Sequence, residues 1–426
     1  LKKINTYEKF LKGGCYMLDS KTIEIVQSTV PVLKEHSKQI GKRFYELLFE
    51  KAPDLYNMFN QTNQKRGIQQ EALGYAVYAA GEHITNLEAI KPVIERISQK
   101  HRAIGVKAEQ YPVVGETLLQ AVKDVLGDTA SDEIIEAWGQ AYGYIANAFI
   151  ELEEALYEET ESQPGGWEGY QSFYIDKKVE ESDNVTSFYL KAKNEKGIAS
   201  YKAGQYLTLA ANVPGEKYTH IRHYSLSEAP GKDYYRISVK REDAHDGAPA
   251  GIVSNYLHKQ VQTGDTLKFS APAGDFVLDH SELPVVLISG GGGIGIGITP
   301  LLSMLNTIVE KQPTCKVTFL HASINGKTHA FKEHVAQLNR NNENVTSFIC
   351  YSSPNEGDRL GTDFDKEGYI DLELLQSVVP SKEAVFYFCG SIPFMEAILK
   401  ALRRWDIPNE RIHYEVFSPV AILGEK

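Results

Sequence analysis

The chain has 426 residues, 42% of them hydrophobic and 24% charged, which is ordinary for globular protein and too long for a single core. Lys plus Arg number 45 against 56 Asp plus Glu, and the net charge of −11 argues against nucleic acid or an anionic membrane surface as the main partner. The four cysteines (Cys15, Cys315, Cys350 and Cys389) are scattered without a CxxC or CxxCH motif; they exclude a disulfide framework and, with no signal peptide evident, suit a reducing cytoplasm.

Residues 1–16 lack the periodicity that begins after Met17 and are read as an N-terminal extension from a mis-assigned start. From Leu18 to Glu159 the chain reads as nearly all helix, the last and longest capped by Ser131-Asp-Glu. Pro92 suits the first turn of a helix whose Val93, Ile94, Ile97, His101 and Ile104 fall on one apolar stripe. An imidazole in such a stripe needs a partner for each ring nitrogen, either a backbone carbonyl in a core or a metal. Tyr111, directly before Pro112, opens the next helix. Glu153 stands one turn after Phe149, either as an edge residue reaching water or as a paired buried acid. Two more polar residues share apolar faces: Tyr45 with Ile40, Phe44, Leu48 and Phe49, and Gln69 with Leu73, Ala76 and Ala80.

A polar, glycine-rich join at 159–168 precedes a change of texture. The segments TSFYLKA (186–192), QYLTLAA (205–211), YYRISVKR (234–241) and DTLKFSAP (265–272) are short strands with turn residues between them, so 169–279 is expected to be an antiparallel β-barrel. From about residue 280 strands and helices alternate. The apolar run from Leu283 to Val309 is broken by glycines and Pro300, which makes it strand, glycine loop and helix and not a membrane span. Buried apolar strands followed by helices indicate a doubly wound parallel α/β sheet over 280–426. Lys327 and His329, after its second strand, are read as solvated polar residues.

The helical segment resembles the globin domain of bacterial flavohaemoglobins through RFYELLF (43–49), LYNMFN (55–60), QQEAL (69–73), QKHRAIGVKAEQYPVVGE (99–116) and AWGQAYGYIANAFIELEEALY (137–157). The resemblance makes 17–158 a globin domain with non-covalent haem b, His101 the proximal iron ligand, and His101, Tyr111 and Glu153 a proximal triad. It places Tyr45, Gln69 and Leu73 in the distal pocket and Phe59 against the haem.

HIRHYSLS (220–227), with its Arg-x-Tyr-Ser, resembles the flavin signature of the ferredoxin–NADP reductase superfamily. That implies Arg222 on the FAD pyrophosphate, Tyr224 on the flavin ring and Ser225 near its N5. Gln205 and Tyr206 of GQYL, and Val253 and Ser254 of AGIVSNYLH, would complete the FAD site. LISGGGGIGIGITPLLSML (287–305) resembles the superfamily's nicotinamide-nucleotide loop, with Gly295, Gly297, Thr299 and Pro300 nearest the helix. An extra Gly-Ile pair departs from the usual Gly-x-Gly-x-Thr-Pro. FCGSIPFM (388–395) supplies Cys389 and Gly390 beside the nicotinamide, and HYEVFSP (413–419) supplies Phe417 as the aromatic that shields the flavin.

The expected architecture is therefore a globin, an antiparallel FAD barrel and an NAD(P)H-binding α/β domain. The family resemblance implies nitric oxide dioxygenase: NAD(P)H reduces FAD, FAD reduces haem iron, and haem-bound O2 oxidises NO to nitrate. A flavin reductase of ferric chelates, quinones or peroxides and an O2 or NO sensor or carrier are the competing expectations. The expected partners are NO and O2, with no nucleic acid and no transmembrane segment, and the expected form is a cytoplasmic monomer. NADH and NADPH are not distinguished.

Overall fold

The computed structural model describes residues 18–193, 197–244, 247–280, 282–291 and 296–418; the expected extension at 1–16 and Gly295 lie outside them. The chain divides into two compact units, and the segments 167–169 and 214–221 group with the first, helical one.

The helical unit contains α1 (Ser20–Lys51), α2 (Gln61–Lys65), α3 (Ile68–Glu82), α4 (Lys91–Ile104), α5 (Tyr111–Leu126) and α6 (Asp132–Ser162). Their ends follow from local chemistry. The Asp19 carboxylate accepts from Thr22 N–H at 2.9 Å to start α1, and the Ser131 side chain caps α6. Gly105, at φ +85°, lets α4 stop at Ile104, one turn after His101. Helix α6 continues to Ser162, into the segment read as a linker.

Two glycines bring α1 and α3 together. A Cβ on Gly74 would lie 2.8 Å from Ser37 Cβ, and one on Gly41 would collide with the Gln70 carbonyl. This crossing sets Tyr45, one turn beyond Gly41, beside the start of α3. The core under it is formed by Val26, Leu33, Phe44, Leu48, Leu118 and Trp138. On α4, Ile94 of the expected stripe is buried and Val93, Ile97, His101 and Ile104 are half-buried, while Ser98, Arg102 and Ala103 are buried as well.

The second unit begins with an antiparallel sheet of β1 (Tyr170–Ser182), β2 (Val185–Ala192), β3 (Tyr206–Ala211), β4 (His220–Ser225), β5 (Tyr235–Lys240) and β6 (Thr266–Ser270), in the order β4-β3-β6-β1-β2-β5. The bridge Leu226 to Ile237, with Ser227 N–H donating to the Arg236 carbonyl at 2.9 Å, joins the two edges and closes the barrel. Helix α7 (Ile252–Lys259) follows β5. Strand β1 was not expected. Its register shifts at Ile175/Lys177 and Glu180/Ser182, and such bulges break the period-two pattern that announces a strand.

The α/β part has β7 (Val285–Gly290), α8 (Ile298–Lys311), β8 (Val317–Ser323), α9 (Lys332–Asn341), β9 (Val345–Tyr351), β10 (Lys366–Glu367), α10 (Leu372–Val378), β11 (Val385–Cys389), α11 (Ile392–Arg404) and β12 (Ile412–Glu415). The parallel order is β10-β9-β8-β7-β11-β12, with one apolar core on each face of the sheet. The chain leaves β7 toward β8 and later returns on its other side as β11. That reversal is the switch point at which open α/β sheets bind ligands, at the carboxyl ends of the two strands. His329 is not solvated as expected: it is buried and its Nδ1 lies 2.8 Å from the Tyr351 hydroxyl. Among the described residues, no helix is long and apolar enough to cross a membrane.

The α1–α3 crossing yields a stability prediction. Gly41→Ala forces the helices apart and lowers the unfolding free energy by about 1–3 kcal/mol. Denaturant titration checks this, and an unchanged midpoint refutes it.

Candidate functional site

Three of the expected residues meet at a single oxygen. Glu153 is buried within α6, and its Oε1 accepts from the Tyr111 hydroxyl at 2.8 Å and lies 2.8 Å from His101 Nδ1. The Tyr111 hydroxyl is also 3.2 Å from that nitrogen. An ionised carboxylate only accepts, so the proton of the imidazole is placed on Nδ1. Burial and the neighbouring Glu153 charge push the Tyr111 hydroxyl well above its ordinary pKa, which keeps it a donor.

Several contacts hold this arrangement. Gly115 leaves room for the Tyr142 ring, whose hydroxyl donates to the Tyr111 carbonyl at 2.7 Å. The turn after His101 is fixed by the Tyr157 hydroxyl, which donates to the Val106 carbonyl at 2.8 Å. His101 itself is one-third exposed, while the Glu153 side chain is 4% exposed. The imidazole is thus anchored on its buried edge and open on the other, with Phe149 beside it at 6.0 Å between ring centroids.

Elsewhere in the unit Tyr45 packs edge-on against Phe59 with ring centroids 5.4 Å apart, and its hydroxyl sits beside the Gln69 and Gln64 side chains. Burial pushes that hydroxyl up, so it too remains protonated. Leu73 and Phe59 are half-buried against the same core. Gln64 was not anticipated from the sequence. It is buried, its Oε1 accepts from Gln70 at 3.0 Å, and its Nε2 has no hydrogen-bond partner among the described residues. It comes from a polar stretch, NQTNQKRG, that carries no apolar period to mark a pocket. Tyr142 was also missed, although it shares a helical stripe with Phe149 and Glu153.

These residues fit a haem. One anchored imidazole suits a metal whose other ligands come from a macrocycle, and half-buried Leu73, Phe59, Val93 and Ile97 suit its apolar face. The unsatisfied Gln64 Nε2 beside a buried hydroxyl suits a small polar ligand.

In the barrel, Arg222, Tyr224 and Ser225 lie on β4, and burial draws the Arg222 guanidinium below its ordinary pKa. A cation so placed is stabilised by an anion at its side, and the guanidinium fork matches a phosphate. Gln205 precedes β3 and donates to the Gly274 carbonyl at 3.2 Å, while the Tyr206 ring lies tilted against His223 with centroids 4.8 Å apart. Val253 and Ser254 occupy the first turn of α7, where amide groups lack helical acceptors.

The glycine loop and the Cys389-Gly390 segment, nearly a hundred residues apart in sequence, converge at the sheet switch point. Ser289 of β7 pairs in register with Cys389 of β11. A Cβ on Gly297 would collide with the Cys389 carbonyl, so only glycine permits this approach. Thr299 and Pro300 are buried in the first turn of α8, and the Thr299 hydroxyl donates to the Ile296 carbonyl at 3.1 Å. The Cys389 thiol is buried and donates to the Glu415 carbonyl at 3.4 Å. Burial pushes it well above its usual pKa, so it is a neutral packing group and not a nucleophile. Phe417 stands apart, 47% exposed beyond β12.

Comparison with known proteins agrees with these parts. The globin family model matches residues 42–149, the oxidoreductase FAD-binding domain 172–278, and the oxidoreductase NAD-binding domain 287–400. The chain is 51% identical to the flavohemoprotein of Halalkalibacterium halodurans over 96% of its own length and 98% of that protein. It is 48% identical to the flavohemoprotein of Bacillus subtilis, over 96% of this chain and 100% of that one. Among solved structures, a flavohemoglobin from Malassezia yamatoensis with bound FAD and heme matches with a TM-score of 0.81 and 25% identity, covering 94% of this chain and 100% of that one. The FAD/NAD-binding domain of a nitric oxide dioxygenase from Vibrio cholerae matches with a TM-score of 0.52 and 37% identity, over 58% of this chain and 98% of that one. With these three domain families joined in one polypeptide and relatives matched over nearly their whole length, the chain belongs to the flavohemoprotein family.

Proposed function

We propose that the chain is an NAD(P)H- and O2-dependent nitric oxide dioxygenase that converts NO to nitrate, with haem b, FAD and a nicotinamide nucleotide as its cofactors. The carrying observation is the 2.8 Å contact between His101 Nδ1 and Glu153, reinforced by Tyr111. The two domain families matched downstream supply a route for electrons, which an oxygen carrier does not need. The Vibrio cholerae relative named as a nitric oxide dioxygenase supports the same reading.

When bound, haem iron supplies oxygen activation and one-electron chemistry, while FAD accepts a hydride and releases electrons singly. The residues of the chain then have distinct tasks. His101 would ligate the iron through Nε2, because Nδ1 is committed to Glu153. A carboxylate behind a ligating imidazole makes it more basic and fixes its orientation, and the added electron density favours activating oxygen over storing it. The Tyr45 hydroxyl, protonated by virtue of its burial, would donate to a polar ligand held in its pocket, with Gln69 beside it. Leu73 and Phe59 would keep water from that side. Arg222 would hold the FAD pyrophosphate, Tyr224 and Ser225 would lie at the flavin ring, and Gln205, Tyr206, Val253 and Ser254 would complete its binding. Gly297, Thr299 and Pro300 would present the start of α8 to the dinucleotide phosphates, a role the chain also offers Gly295. Cys389 and Gly390 would border the nicotinamide, and Phe417 would shield the flavin.

Three substitutions test this reading. His101→Ala abolishes haem-dependent NO consumption under air and leaves anaerobic flavin reduction by NAD(P)H nearly intact; equal loss of both would make His101 a folding residue. Tyr45→Phe accelerates O2 dissociation by about ten- to a hundredfold, because a hydrogen bond to a charged acceptor contributes about 1.5–3 kcal/mol. Flash photolysis measures this, and an unaltered off-rate removes Tyr45 from the mechanism. Glu153→Gln keeps the shape but withdraws the charge, and NO consumption falls about tenfold while flavin reduction is unaffected. Full activity in that variant would contradict the proximal role.

A further inference from the structure

The strand that carries Arg222, Tyr224 and Ser225 runs directly into Leu226, Ser227 and Glu228. This short run is tied on both sides: Leu226 N–H donates to the Gln205 carbonyl and Ser227 N–H to the Arg236 carbonyl, each at 2.9 Å. Glu228 ends it, buried to 9% exposure, against α8, the helix that starts at the glycine loop. The Glu228 carboxylate accepts from Asn306 Nδ2 at 3.0 Å and lies 3.3 Å from Arg236 Nη1, and its backbone carbonyl accepts from Ser303 Oγ at 2.6 Å. Ser303 and Asn306 sit about one and two turns beyond Thr299. The Arg236 guanidinium crosses the same seam, 5.4 Å from the centre of the buried Phe331 ring of the α/β core.

A buried carboxylate contributes little net stability, because desolvation offsets much of its pairing energy. What a fully hydrogen-bonded charge adds at a seam is a single register. Hydride transfer depends on register: reacting atoms must approach within about 3–3.5 Å, and a displacement of about 1 Å can cost a hundredfold in rate.

We propose that Glu228 is a positioning residue for flavin reduction, locking the first turns of α8 to the strand that carries the flavin-binding residues. By that lock it sets the distance and angle between nicotinamide and flavin. The proposal rests on the FAD and NAD(P)H sites described above and is independent of events at the haem. The far end of α8 has separate ties: Lys311 donates to the Pro230 carbonyl at 2.8 Å, and Lys232 pairs with Glu310 at 2.8 Å. Loss of the Glu228 charge therefore frees the register without separating the two halves.

The test is anaerobic stopped-flow reduction of the holoenzyme with whichever of NADH or NADPH reduces the wild type, alongside thermal melting, FAD content and the flavin–nicotinamide charge-transfer absorbance. Glu228→Gln is expected to slow the limiting rate at saturating nucleotide by about tenfold and weaken the charge-transfer band, with FAD content kept. Adding Asn306→Asp to it restores a carboxylate from the helix side of the seam and recovers most of the rate. Should Glu228→Gln lose its FAD, Ser303→Ala removes only the bond to the Glu228 carbonyl and is expected to slow reduction by a smaller factor. A limiting rate equal to wild type in the FAD-loaded variants, whatever the melting temperature, overturns the proposal, as does a double variant no faster than the single one. A wild-type protein whose flavin neither nucleotide reduces would defeat the FAD and NAD(P)H reading itself.

Discussion

One carboxylate oxygen organises the helical unit. Glu153 is buried, and a buried charge is tolerated only when donors surround it. Its Oε1 meets that demand with the imidazole of α4 and the phenol that opens α5, so three helices converge on one atom. The imidazole cannot turn without leaving the charge unpaired, and Tyr111 cannot leave without losing its strongest acceptor. The glycine at the end of α4 and the Tyr157 hydroxyl on the following turn hold the same geometry from the backbone side. The orientation of the proposed iron ligand is thus a consequence of charge satisfaction.

The second unit rests on close approach and not on charge. Parallel strands β7 and β11 end side by side, and Gly297, directly before α8, lies against the end of β11. No side chain fits at Gly297 because the Cys389 carbonyl already occupies that space. Backbone amides at a helix start, pressed against a second strand end, suit a dinucleotide phosphate. The barrel contributes the proposed complementary cation, Arg222. Its buried seam with α8 runs through Glu228, which meets Ser303 and Asn306.

Much of this was legible in the sequence because it is written in local patterns. Helical periodicity marked the first unit, and short alternating strands followed by βα alternation marked the rest. Family motifs named His101, Tyr111 and Glu153, and the structure brings those three together. Other features escaped for definable reasons. Strand β1 is masked by bulges that interrupt its alternation. Helix α4 also buries Ser98 and Arg102, polar residues that no apolar pattern marks. His329 looks like a solvated loop residue but is drawn inward by the Tyr351 hydroxyl, a partner that no spacing rule connects to it. Gln64 lies in a polar segment without period, and only the fold of α2 against α1 makes it a neighbour of Tyr45.

The sequence by itself determined most of the helices and strands, the bulged β1 apart, and which side chains are chemically able to ligate, donate or cradle. Those properties depend on residues a few positions apart, so they survive in a one-dimensional reading. Tertiary structure alone decided which of the polar groups meet. Whether Glu153 is an edge carboxylate or a buried acceptor, whether Gly297 needs to be glycine, and whether Glu228 touches Asn306 all depend on groups brought together from distant segments. Burial and pairing act through space, where low dielectric and excluded water make a missed partner expensive, and chain order does not encode that distance.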